Sequence, residues 1–292
     1  MRRTISDDVA VDGAGGLPVG RGRQLATTPQ EVMAAVFDGC ADDYDEIGLF
    51  TSFGRRLVEL AQVAPGERVL DVAAGRGACL FAAAEYVGPA GVIHAVDISE
   101  SMVALLAGDI EARQLANAAV SRMDAQALSF PAASYDVVLC ASALFLLPDP
   151  MAAAREFLRV LRPGGRCAVS LPTAPVRPET TPPVGEVYQR YGREAGIRPA
   201  GLPRDMDLAA LLAAAGFEDI QVIDEAPTFH FRDADAWWRW SWTVAARHLY
   251  ERLPADQLDL MRKEVLELIE TAVTAHGLPV TAHMRYATAR RP

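Results

Sequence analysis

Three aspartates and a glycine pair carry the clearest chemical pattern in the chain. Val69-Leu70-Asp71-Val72-Ala73-Ala74-Gly75-Arg76-Gly77-Ala78 runs from an apolar strand pattern through Gly-x-Gly into a helical pattern. Such a turn leaves bare backbone at a strand's carboxyl end, where doubly wound sheets bind their ligands. A dinucleotide site asks for a third glycine three residues after Gly77, and that position is Leu80. Asp71, just ahead of the turn, is an awkward charge beside a pyrophosphate but suits an ammonium. The pair of observations favours an adenosyl cofactor that carries a methionine group instead of phosphates. Ala95-Val96-Asp97-Ile98-Ser99 ends the next strand in a second carboxylate, 20 residues beyond Gly77. A carboxylate there accepts from both ribose hydroxyls of any nucleoside; helix N-capping by Asp97 or Ser99 is the alternative. Met123-Asp124-Ala125-Gln126 offers a third, able to accept an adenine amino group beside the Ala125 N–H, or else a simple turn.

The elements that must position these residues alternate. Strands are predicted at Arg68–Val72, Val92–Val96, Ala118–Arg122, Tyr135–Ala141 and Arg166–Leu171. Helices lie between them at Gly77–Val87, Ser99–Gln114 and Met151–Leu161, the last stopped by Pro163-Gly164-Gly165. Short apolar strands separated by helices imply parallel crossovers and a doubly wound α/β sheet. Ahead of them, residues 1–27 read as a flexible tail. A helix begins at Thr28 and another covers Thr51–Val63. After Leu171 the prolines 172, 175, 178, 182 and 183 mark a loop. A short helix near Tyr188–Gly192, a helix over Asp205–Ala215 closed by Gly216, and a strand over Phe217–Asp224 follow. Long helices at Asp233–Leu253 and Asp256–Ala275 and a last strand at Val280–Ala289 complete the pattern. The organisation expected is a tail (1–27), an N-terminal helical lid (28–64), a cofactor-binding core (65–171) and substrate-side elements of the same domain (172–292).

Composition sets bounds on function. The 292 residues carry a formal net charge of -10, and 51% are hydrophobic. Nucleic-acid binding rests on clustered positive charge, so the balance argues against that partner. Cys40, Cys79, Cys140 and Cys167 form no CxxC pair and read as free thiols. No dense Asp/Glu/His cluster suggests a metal. The start of the chain lacks the apolar core of a signal peptide, and the longest apolar run, Val137 to Leu147, is about half a membrane span. A cytoplasmic protein without membrane or nucleic-acid partners, monomeric or homodimeric, is expected.

Taken together, Val69–Gly77, Ala95–Ser99, Asp124–Phe130, Ser134-Tyr135-Asp136-Val137-Val138 and Leu161-Arg162-Pro163-Gly164-Gly165 resemble the small-molecule class I S-adenosylmethionine (SAM)-dependent methyltransferases, the group that includes the ubiquinone/menaquinone type. The resemblance covers residues 30–171. It implies a Rossmann-like seven-stranded sheet with an antiparallel last strand, a helical N-terminal lid, and a helical insertion before that strand. It further implies that SAM is the cofactor and S-adenosylhomocysteine the product. Asp71, Ala73, Gly75 and Gly77 would hold the methionine part and Asp97 the ribose. Ile98 and Met102 would flank the adenosine, Asp124 and Ala125 would bind adenine, and Cys140-Ala141-Ser142 would pass behind the sulfonium. Phe37-x-x-Cys40-Ala41-x-x-Tyr44-Asp45 matches the helical motif whose aromatic residue closes over the cofactor, which makes Tyr44 the lid candidate; a packing helix is the other reading. Many relatives carry His-His after the fourth strand, whereas this chain has Ala143-Leu144-Phe145-Leu146-Leu147-Pro148, so a more apolar pocket around Phe145 is expected.

Methyl transfer from a sulfonium is an in-line displacement in which the protein chiefly orients the nucleophile and excludes water. A base is needed only for a neutral hydroxyl, phenol or acidic carbon. His94 reads as structural, and His276 and His283 as surface or packing residues. His230, in Thr228-Phe229-His230-Phe231, falls where the resemblance places substrate-facing residues and is the candidate base, with an exposed strand position as the alternative. Trp238 and Trp242 share a helical face with Ala245 and Leu249, either as core packing or as an aromatic wall for a flat acceptor. A small organic acceptor of secondary metabolism, methylated on O, N or C, is the expected substrate. A protein or RNA methyltransferase, or a non-methylating SAM- or NAD-binding protein, is the alternative.

Overall fold

The computed structural model describes residues 37–38, 48–180, 182–197, 206–244 and 246–292. The tail expected for 1–27, the helix from Thr28, Cys40 and the lid candidate Tyr44 lie outside the described residues. In chain order the first half comprises α1 (Leu49–Leu60), β1 (Arg68–Val72), α2 (Ala78–Val87), β2 (Val92–Asp97), α3 (Glu100–Ala112), β3 (Ala118–Arg122) and β4 (Tyr135–Cys140). After a 3₁₀ turn (Leu144–Leu146) come α4 (Pro150–Val160), β5 (Leu161–Pro172), β6 (Arg177–Pro178), α5 (Val184–Glu194) and α6 (Leu208–Ala215). The remainder is β7 (Glu218–Glu225), β8 (Thr228–Phe231), α7 (Ala234–Ser241), α8 (Arg247–Tyr250), α9 (Ala255–Glu270), β9 (Leu278–Thr281) and β10 (Met284–Arg290).

Seven strands form one sheet in the order β3-β2-β1-β4-β5-β10-β7. Strands β1 to β5 pair in parallel, and β10 runs antiparallel between β5 and β7. The Rossmann-like sheet with its antiparallel last strand is therefore present as expected. Alternation of side chains divides the core between its two faces. Val69, Val137 and Leu139 pack on one face with Leu57, Leu80, Ala83 and Leu106 of α1, α2 and α3. Leu70, Val72, Val138 and Cys140 point the other way, onto Phe157 of α4 and Leu212 of α6. Strand order reverses between β1 and β4, so the loops leaving these two strands diverge and open a crevice at their carboxyl ends.

Several element boundaries differ from the sequence reading, each for a local reason. The stretch expected as one strand, Val280–Ala289, is two: β9 joins β6 and β8 in a three-stranded antiparallel sheet, and β10 enters the main sheet. Ala282 donates to the Pro227 carbonyl and Thr173 to that of His283, which fixes the crossing between sheets. Strand β5 begins at Leu161, not Arg166. Its Pro-Gly-Gly segment is a bulge, because Tyr135 faces Leu161 while Val137 already faces Arg166. The helix expected over Asp233–Leu253 stops at Ser241. There Ser241 Oγ and Thr243 Oγ1 donate to the carbonyls of Trp238 and Trp240, at 2.6 and 2.8 Å, competing with the helical ladder. The short helix expected near Tyr188–Gly192 extends over Val184–Glu194.

Helix α1 crosses the start of α2 at Gly54. A Cβ at this buried glycine would lie 2.5 Å from the Ala78 carbonyl carbon and 2.7 Å from its oxygen. In an unobstructed helix, Gly→Ala stabilises by about 1 kcal/mol. Gly54→Ala is expected to do the opposite, lowering stability by about 1–3 kcal/mol as α1 is pushed from the loop it braces. The urea midpoint of the variant decides the sign.

Candidate functional site

The crevice contains two cavities that meet. One, of about 520 Å³, is lined by Asp71, Ala73, Gly75, Ala141 and Ser142 together with Phe50, Thr51 and Phe53 of α1. The other, of about 80 Å³, shares Ala73, Gly75, Ala141 and Ser142 and adds Asp97, Ile98, Met102, Asp124, Ala125 and Gln126. Ala73 (φ 55°) and Ser142 (φ 53°) leave β1 and β4 in the left-handed region, as do Gly75 (φ 52°) and Gly77 (φ 80°). Two non-glycine residues in that conformation on facing loops mark a backbone shaped around something other than its own packing.

The carboxylates hold this backbone in place. Asp97 Oδ2 accepts from the Gly75 N–H at 2.8 Å, and Oδ1 accepts from Ser99 at 3.0 Å. Asp97 thus ties the loop after β1 to the start of α3, with lone pairs left over toward the smaller cavity. Burial pushes its carboxyl above the usual range, against the pull of the backbone N–H groups. Ser99 caps α3 through Met102 N and donates to Asp38 at 2.5 Å. Asp71, almost fully enclosed, accepts the Leu80 N–H at 2.9 Å. The position where a dinucleotide site would carry its third glycine thus supplies a donor to the carboxylate. Burial raises Asp71 to about 8, outweighing that bond, and the charge of Asp97 adds to the rise. Asp124 accepts from Gln126 N (2.9 Å) and Nε2 (3.0 Å), while Gln126 Oε1 accepts from Asp149 N (2.8 Å).

Of the residues singled out in the sequence, Asp71, Ala73, Gly75, Asp97, Ile98, Met102, Asp124, Ala125 and Ala141 all line the joined cavities. Gly77 begins α2 behind them; a Cβ there would meet Leu106 Cδ1 at 2.6 Å. Cys140 is buried beneath the floor, its thiol pushed well up by burial. The acceptor-side candidates fall elsewhere. Phe145 turns into the core below the sheet, because the 3₁₀ turn rotates it inward, and Leu146, Leu147 and Pro148 form the apolar wall instead. Trp238 and Trp242 pack their rings on Tyr250, each with centroids 4.8 Å apart, and line neither cavity. His230 stands exposed on β8. Sequence reasoning missed the aromatic edge contributed by α1, where Phe50 and Phe53 recur at helical spacing before the GxG turn. It also missed Gln126, whose adjacency to Asp124 was the available signal.

A family model described as "Methyltransferase domain" matches residues 69–165. Nocamycin O-methyltransferase of Saccharothrix syringae is 35% identical over 280 residues, covering 87% of this chain and 97% of that protein. The chain is a class I SAM-dependent methyltransferase. Aklanonic acid methyltransferase DauC of Streptomyces sp. (strain C5) is 37% identical over 196 residues, 62% of this chain and 89% of that protein. The crystal structure of YcgJ from Bacillus subtilis shares the fold, with a TM-score of 0.54 at 21% identity, covering 82% of this methyltransferase and 98% of that chain. No helix among the described residues is long and apolar enough to cross a membrane.

The donor set suits this cofactor. A buried carboxylate with a single backbone donor fits an ammonium, and Asp97 with lone pairs to spare fits hydroxyls. In the cofactor-free protein, Asp71 ties stability to pH. Its folded value near 8 lies above the unfolded one of 3.8, so its contribution is full below about pH 4 and is lost as pH rises toward 8. Across that window each pH unit is worth up to about 1.4 kcal/mol. Asp71→Asn removes the titration, so the thermal midpoint of the variant relative to the parent should climb between pH 5 and pH 8. A difference that stays flat over that range would place the Asp71 carboxyl in a better-solvated setting.

Proposed function

We propose that the enzyme transfers the SAM methyl group to an oxygen atom of a small, acidic organic molecule of secondary metabolism. The observation that carries this reading is the similarity to an enzyme named as an O-methyltransferase over 97% of its length, since that span includes the elements after β5 as well as the cofactor core. The name of the second relative, a methyltransferase for aklanonic acid, agrees with an acidic acceptor. The site chemistry points the same way. None of the described residues lining the two cavities is a histidine. A carboxylate or an acidic enol reaches the methyl group already ionised and needs no base, whereas a neutral alcohol would.

Bound SAM supplies an activated methyl group on a sulfonium, and the protein's work is placement. In this reading Asp71 accepts the cofactor's ammonium, with Ala73, Gly75 and Gly77 giving the methionine part room. Asp97 accepts from the ribose hydroxyls, and Ile98 and Met102 cover the adenosine. Asp124 and the Ala125 N–H read the adenine edge, Gln126 fixing the Asp124 carboxylate. Ala141 forms the floor behind the sulfonium, with Cys140 supporting it from beneath. Tyr44 is retained as the aromatic residue that closes the cleft. Residues 65–171 then make up the cofactor half, and 172–292 the acceptor half of the same domain.

Two measurements test the assignment. Asp97→Ala should weaken SAM binding about 10- to 100-fold by calorimetry, the scale of losing hydrogen bonds to a charged acceptor; full retention of affinity would remove Asp97 from the ribose site. Incubation with SAM and a panel of carboxylic acids, acidic enols, phenols and amines, followed by mass spectrometry, should give a methyl ester or ether of an acidic member. Methylation confined to amines or to carbon would overturn the oxygen assignment.

A further inference from the structure

Among the described residues, Arg177 is the one partly buried arginine with no carboxylate or carbonyl acceptor. Its counterparts are all engaged: Arg56 with Glu225, Arg76 with Asp109, Arg159 with Glu156, Arg166 with Glu67, Arg247 with Glu251, Arg285 with Asp224, and Arg291 with backbone carbonyls. The Arg177 guanidinium instead lies 5.8 Å from the centroid of the Tyr188 ring, beside the first turn of α5. The guanidinium packs against the bare Cα of Gly185, where a Cβ would displace Arg177 Nη1. The chain thus makes room for a cation that it does not neutralise.

Next to it runs a chain of hydroxyls whose direction can be derived. Ser241 Oγ has one proton and donates it to the Trp238 carbonyl at 2.6 Å. In its 2.9 Å contact with Tyr250, Ser241 must then accept. Tyr250, having donated, accepts in turn from Tyr188 at 2.6 Å. All three protons are used within the chain of hydroxyls, so the Tyr188 oxygen has only lone pairs left to offer. Among the described residues, the positive charge beside Tyr188 belongs to Arg177, which brings N–H donors to it. A planar guanidinium with free N–H groups matches two coplanar oxygens sharing a negative charge.

The location is on the acceptor side. Strand β5 runs parallel to β1 and β4, so the chain leaving Pro172 for Arg177 emerges at the carboxyl ends, where the cleft opens. Pro178, adjacent to Arg177, pairs with Val280, which pairs with Phe229. Phe229 in turn meets Phe53, a wall of the larger cavity, edge-on at 5.6 Å.

We infer that Arg177, backed by Tyr188, Tyr250 and Ser241, is an anchoring site for the carboxylate of a small organic acid on the acceptor half of the enzyme. The inference deepens the acidic-acceptor reading and rests on it for its biological sense, yet it can be tested without turnover. Trp238 and Trp242 both stack on Tyr250, so intrinsic tryptophan fluorescence reports on the site. The full-length protein is titrated with benzoate and 2-naphthoate, and with benzamide as the neutral control. Saturable quenching by the carboxylates but not by benzamide is expected. Arg177→Met should weaken it at least about tenfold, the scale of a charge-assisted hydrogen-bonded pair, while SAM affinity stays unchanged. Gly185→Ala keeps the charge but displaces the guanidinium, and should also weaken carboxylate binding. Equal carboxylate binding by the parent and both variants, or none by a parent that binds SAM normally, overturns the anchor. Neither result touches the oxygen-methylation reading, which the product analysis decides separately.

Discussion

The structure turns on buried carboxylates that grip backbone N–H groups at the carboxyl ends of β1 and β2. Asp71 takes the N–H of Leu80 in the first turn of α2, and Asp97 takes those of Gly75 and Ser99. These bonds connect strand, loop and helix on the β1–β2 side of the strand-order reversal. They also hold Ala73 and Gly75 in left-handed conformations, which a loop with that much freedom would otherwise leave. The cost is electrostatic, since two acids sit in a desolvated place and the charge of Asp97 further raises the affinity of Asp71 for protons. A ligand with cationic and hydroxyl groups relieves that cost, and so the features that destabilise the empty loop favour the bound state.

The same logic explains why α1 approaches so closely. Gly54 lets its backbone touch the start of α2, and Phe50 and Phe53 from the same helix line the larger cavity. A helix held at that distance both braces the loop and walls the cleft. Packing and binding are therefore not separable on this face of the sheet, and on the opposite face the core around Phe157 and Leu212 reaches the smaller cavity through Ala125 and Ala143.

The cofactor half was legible because its information is local. A strand ending in Asp, a glycine turn and a second Asp at the next strand end each declare themselves within a few residues, and the fold brings them together through regular crossovers. The elements after β5 were not legible for the opposite reason. Val280–Ala289 reads as one strand because its alternation is continuous, but tertiary pairing splits it between two sheets at Ala282 and His283. Arg177 lay in a proline-rich stretch that reads as loop, and nothing nearby in sequence signals that β9 would claim it as a strand. Trp238 and Trp242 do share a face, as the spacing required, yet that face belongs to Tyr250, a residue reached only after the chain has broken its helix and turned back.

That break is itself the step that gives the elements after β5 their polarity. In Trp240-Ser241-Trp242-Thr243, two hydroxyls alternate with indoles at the point where α7 ends. Each hydroxyl bonds a carbonyl three residues back, which satisfies the helix end and halts its growth in one move. Had the helix continued to Leu253, Tyr250 would lie further along the same rod, and its hydroxyl could not fold back on Ser241. Because it stops, α8 turns Tyr250 onto the indoles and brings its oxygen within 2.9 Å of Ser241, from which the chain of hydroxyls extends to Tyr188. The bond that terminates the helix therefore also sets the direction of every proton behind Arg177. A substitution at Ser241 would act on Tyr250 and Tyr188 through hydrogen-bond direction, without touching any residue that lines the two cavities.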